Sequence, residues 1–153
     1  MMPHISVRSK RSGAVALEFV ITSFVLLIAI VGIIELSRAI MVNQVLINAA
    51  REGARNVVIP GATDESFDQV MDHYLRSAGI QPDLCTVEVY KNLTEEQHSD
   101  PSLRPSPINV ENTSSHDEIT VLVGVPFSDV SWGFMNFIAN DTVLSAEVVM
   151  RKE

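Results

Sequence analysis

GAVALEFVITSFVLLIAIVGIIELSR, residues 13–38, decides the fold of this 153-residue chain. Residues 19–34 form a run of sixteen without a charge. With residues 14–17 the apolar stretch reaches about 31 Å as a helix, the thickness of a bilayer's hydrocarbon core. Arg8, Lys10 and Arg11 stand immediately before it. By the positive-inside rule they put the N-terminus in the cytoplasm and residues beyond about 35 outside. A secretory signal peptide would show a shorter apolar region and then a small-residue cleavage site. Here the chain runs straight on into ELSRAIMVNQVLINAAREGARNVV, residues 35–58. A buried core helix is the competing reading; the expectation is one membrane span, N-terminus in and C-terminus out.

Composition agrees with that division. The chain is 46% hydrophobic with a mean hydropathy of +0.21, yet 20% of it is charged, so the two classes must be segregated. Residues 1–58 carry six Lys/Arg against three Asp/Glu, whereas residues 59–153 carry five against sixteen. An acidic body offers nothing to offset backbone phosphates, which argues against a nucleic-acid binder. The single cysteine, Cys85, excludes an intrachain disulfide and a cysteine-based metal cluster. His4, His73, His98 and His116 lie far apart and form no ligand spacing. Gly-x-Ser-x-Gly, His-Glu-x-x-His and a Cys–His pairing are all missing. No catalytic residue, metal or cofactor is therefore expected.

Glu18 is the anomaly, because an ionisable group inside a span is costly and marks function by default. It could be a carboxylate that snorkels to the interface. Alternatively, a cut after Gly13 would leave Ala14 with a free ammonium four residues before Glu18, on one helix face and at the positive end of the helix dipole. In an assembly the same carboxylate could instead neutralise the ammonium of a neighbouring subunit.

A basic stretch, Gly13, then Ala14-Val-Ala-Leu-Glu18-Phe19 resembles the leader-cleavage motif of type IV pilin-like proteins. The resemblance implies a prepilin peptidase that cuts between Gly13 and Ala14, with Glu18 and Phe19 as the fifth and sixth mature residues. Beyond the span, Glu35-Leu-Ser-Arg38 and Asn48-Ala-Ala-Arg51-Glu52-Gly53-Ala54-Arg55 are similar to TadE-like proteins. These are the minor pseudopilins of the tight-adherence (Flp) pilus system. The ending Leu-Ser-Ala-Glu147-Val-Val-Met150-Arg151-Lys-Glu153 looks like that family's terminal strand. The resemblance implies assembly and packing roles for Glu18, Glu35, Arg38, Asn48, Arg51, Glu52, Gly53 and Arg55. The implied partners are the prepilin peptidase, other pilins and pseudopilins, the Tad assembly machinery and the lipid bilayer.

Past the span, Ile33, Leu36, Ile40, Ile47, Ala50, Ala54 and Val57 recur at helical spacing and predict a packing stripe on a helix running from about 14 to 58. Ala49, Ala50, Gly53 and Ala54 permit close approach of another element. Arg38, Arg51, Glu52 and Arg55 predict pairs on the outer face, with Arg51 and Arg55 wanting an acidic partner. Pro60-Gly61 ends the helix. Thr63-Asp-Glu opens a second one whose apolar face is Phe67, Val70, Met71, Tyr74 and Leu75, with Gly79 at the C-cap position and His73 on the surface.

Cys85, Val87 and Val89 alternate with Thr86, Glu88 and Tyr90, a strand with Cys85 facing the core. Residues 91–117 read as a solvated loop whose scattered acids lack the EF-hand spacing for calcium. Residues 119–126 and 142–150 are further strands. Between them Trp132, Met135, Phe134 and Phe137 either close the core or form an exposed apolar patch. The expected architecture is α+β: a basic leader (1–13), a transmembrane helix (14–35), its extracytoplasmic continuation (36–58) and an acidic periplasmic head (59–153). The head should hold a second helix and an antiparallel sheet of about three strands. A single-span tethered binding or sensor domain is the alternative function, and a periplasmic enzyme has no motif behind it.

Overall fold

The computed structural model describes residues 9–131 and 142–152, with side chains from residue 13 onward. Most of the expected leader and the Trp132, Phe134, Met135, Phe137 group lie outside the described residues. Helix α1 spans Ser9–Val58 without interruption, about 75 Å at the helical rise. It is long and apolar enough to cross a membrane, and none of its most apolar window is buried inside the molecule. Val15, Phe19, Phe24, Leu26 and Ile30 are all exposed. Without lipid this surface would have no apolar partner, which distinguishes α1 from a soluble core helix.

Burial begins at Glu35 and continues through Val42, Leu46, Ala49, Ala50, Gly53, Ala54 and Val57. The lower part of the predicted stripe is thereby corrected: Ile33, Leu36 and Ile40 are 65%, 61% and 56% exposed. Apolar residues surround α1 at this level, so spacing alone does not select a face. The sheet selects it.

That sheet is antiparallel with the order β1-β2-β3, from Thr86–Lys91, Glu118–Pro126 and Val143–Arg151. Val87 and Val89 face Val123 and Val121, which face Ala146 and Val148 in turn. With Ile119 and Val125 these side chains form the surface on which the upper half of α1 packs. Cys85 lies just before β1, half-buried against the same core, with burial pushing its thiol pKa up.

Helix α2, Asp64–Ser77, packs on the other side of α1 through Phe67, Met71 and Leu75. Thr63 caps it: its Oγ1 accepts from Ser66 N at 3.2 Å while Ser66 Oγ accepts from Thr63 N at 3.1 Å. At the other end Gly79 has φ +78°, Ile80 N donates to Leu75 O and Gly79 N to Arg76 O. This is a Schellman end, sealed by buried Leu75 and Ile80.

Residues 91–117 are more than a solvated loop. They contain helix α3, Glu95–Ser99, and two short 3-10 turns, and they bury Leu93 and Val110. The second face of the sheet is thereby partly covered. Tyr90, placed by alternation on the outer face, is buried there beside Thr120. A last helical turn, α4 (Phe127–Val130), carries β2 back toward α1.

Candidate functional site

The residues singled out by sequence fall into three groups along α1. The first is Gly13, Ala14, Glu18 and Phe19, all exposed on the helix below the head. A Cβ built at Gly13 meets no atom within 4 Å outside its own helix, so no other described element packs against this position. Ala14 and Glu18 are one helical turn apart on the same continuous helix.

The second group sits where α1 enters the head. Glu35 is buried, and both of its carboxylate oxygens accept from the Ser131 hydroxyl at 3.3 Å. Arg38, one turn further, donates its Nε–H to the Val130 carbonyl. Both therefore fix α1 to the end of α4 and the residue after it, 92 and 96 positions away in sequence, through a link that periodicity does not show.

The third group lies under α2. A Cβ on Gly53 would come 2.8 Å from Met71 Sδ and 3.0 Å from Phe67 Cε2. Ala49, Ala50 and Ala54 beside it have no exposed surface. The small residues set how closely α2 can approach. Asn48, Arg51, Glu52 and Arg55 are exposed, with Glu52 at the edge of a groove shared with Gln69, Val70 and His73 of α2. The predicted pairing is corrected at this point: none of the ion pairs among the described residues involves Arg51, Glu52 or Arg55.

One polar cluster escaped the sequence reading. Glu147 on β3 receives Arg104 Nη2 at 2.9 Å and contacts His98 Nδ1, while Arg104 also donates to the carbonyls of Gln97 and His98. Arg104 thus caps α3 and ties it to the sheet. Nearby, burial and the Glu88 carboxylate, which accepts from the hydroxyl at 2.7 Å, push the Tyr90 pKa up to about 12. These groups are 43 or more positions from Glu147 in the chain, and no local pattern connects them.

The scattered acids of residues 91–117 act within the backbone. Asp117 accepts from Ser114 N and Asn92 Nδ2, which holds its carboxyl below the usual range. Asp100 accepts from Ser102 N and Oγ with the same effect. Among the described residues no three His, Cys, Asp or Glu side chains are grouped to hold a metal ion.

The arrangement offers an exposed apolar helix with one carboxylate, an anchored junction and a close-packed head. No curated protein and no solved structure matches the chain. The match to known proteins is to a family model and falls on α1 alone, leaving the terminal strand outside it. Residues 13–55 match the family model described as TadE-like protein, and over that segment the chain is similar to that family.

Proposed function

We propose that the chain is a non-enzymatic minor pseudopilin that takes part in assembling a Flp/Tad type IVb pilus. It is inserted in the inner membrane as a single span with its N-terminus in the cytoplasm and its head in the periplasm. A prepilin peptidase cuts after Gly13. The observation that supports this reading is the placement of Gly13–Glu18 at the start of an exposed apolar span that carries no further charge before Glu35, within the segment that matches the family model. Exposure gives a peptidase access, and an uncharged surroundings makes Glu18 a partner for an ammonium in another subunit. The chain's own residues then supply packing and charge complementarity rather than chemistry.

Intact mass of the membrane-extracted protein, expressed with and without a cognate prepilin peptidase, tests the proposal. Loss of residues 1–13 only with the peptidase present is the expected result, and Gly13→Ala should keep the full-length precursor. An intact N-terminus with the peptidase present would shift the reading to a tethered periplasmic domain.

A further inference from the structure

Between Glu18 and Arg51 the charged residues of α1 are Glu35 and Arg38. Both are turned into the head: Glu35 is buried against Ser131, and Arg38 donates to the Val130 carbonyl. Ser37 stays exposed, but its hydroxyl donates to the Ile33 carbonyl at 2.8 Å and so is satisfied within the helix. The outer side of α1 at this level is left to Ile33, Leu36, Ile40 and Met41, all exposed, Met41 at 68%. Val143, the first residue of β3, is 58% exposed and borders one shallow hollow with Ile40. Two elements far apart in sequence thus expose apolar side chains at one height, beyond the point where charge returns to the sequence.

The exposed side changes with height along α1, not with angle around it. At about 100° per residue, Ile33, Ser37, Ile40, Gln44, Asn48 and Arg51 share one side of the helix. Up to Met41 that side presents apolar groups and a self-satisfied hydroxyl; from Gln44 upward it presents exposed amides and then charge. A neighbouring helix would select a stripe that runs on along the axis. A planar apolar medium selects a level, and the apolar surface here is continuous with the span below it. We propose that the outer leaflet of the bilayer reaches Met41 and immerses the rim of the head formed by Leu36, Ile40, Met41 and Val143. The head then rests on lipid instead of standing clear of it, with the boundary about 9 Å beyond Glu35. A hydrocarbon core of about 30 Å measured back from Met41 ends near residue 21. Gly13 and Glu18 are left at the cytoplasmic interface, where the proposed cut is made. This inference rests on the reading that α1 spans a membrane.

The test uses the full chain in phosphatidylcholine vesicles, spin-labelled at one introduced cysteine at a time. Cys85→Ser removes the native thiol, with Cys85→Ala as the background if circular dichroism reports a changed fold. Ile30→Cys, Met41→Cys, Val143→Cys and Asn48→Cys all fall at exposed positions, so the label displaces no packed side chain. Power saturation compares collisions with oxygen, which concentrates in lipid, and with a water-soluble nickel chelate. Oxygen should dominate at positions 30, 41 and 143, and the chelate at position 48. Chelate access at 41 or 143, with 30 still in lipid, would overturn the proposal and leave the membrane reading standing. Chelate access at 30 as well would overturn both. Shielding of 41 and 143 from both reagents would assign the rim to a protein surface, a second copy included, and would also overturn the proposal.

Discussion

Gly53 measures how tightly α2 is held against α1. Replacing it with alanine has two opposing effects. Alanine in a helix interior is about 1 kcal/mol more favourable than glycine. Against this, the new methyl would stand 2.8 Å from Met71 Sδ and 3.0 Å from Phe67 Cε2, and overpacking a filled core costs about 1–3 kcal/mol. Met71 and Phe67 are both buried, so neither side chain can swing clear into solvent. The expected net effect of Gly53→Ala is a destabilisation of about 1 kcal/mol. Met71→Ala removes the closer obstacle and vacates room for the Phe67 ring, at a cost of about 2–5 kcal/mol by itself. In that background Gly53→Ala should become stabilising by about 1 kcal/mol, leaving a coupling energy of about 2 kcal/mol between the two positions. Thermal unfolding of the four proteins in detergent micelles, followed by circular dichroism, reads the cycle. Each kcal/mol moves the Tm of a head this size by about 4–8 °C. Additivity of the two substitutions to within about 0.5 kcal/mol would refute the close-approach argument.

Three further outcomes follow from the head. Glu147→Ala removes the acceptor of Arg104 and the contact of His98, so the head should lose about 1–3 kcal/mol, with hydrogen exchange rising first in residues 95–104. Thr63→Ala deletes half of the capping box and should cost about 1 kcal/mol, read as faster exchange in the first turn of α2. Tyr90 has its pKa raised in the folded chain, to about 12. The protonated phenol is thus favoured by folding: its contribution is complete below the unfolded value of about 10 and is lost as pH rises through the folded value. Tyrosinate absorbance should show a late-titrating component that disappears in Tyr90→Phe; a titration that Tyr90→Phe leaves unchanged at high pH would contradict the burial of Tyr90.

The sequence by itself determined the parts of this protein whose cause is local. Sixteen uncharged residues make a helix because lipid leaves the backbone no other way to satisfy its hydrogen bonds. Thr63, Ser66 and Gly79 end α2 through bonds that reach only a few positions. The alternation of Val87 and Val89 with Glu88 and Tyr90 is a property of any pleated strand. The tertiary structure decided which apolar residues of α1 are inside. Ile33, Leu36 and Ile40 have the same periodicity as the buried row through Val42, Leu46 and Ala49, and only the position of β2, β3 and α4 separates them. It also decided that residues 91–117 would cover the second face of the sheet, because Arg104, His98 and Glu147 meet across a distance in sequence that no period spans. Gly53 belongs to both accounts: a run of small residues announces that something comes close, and the fold brings Phe67 and Met71 to that place.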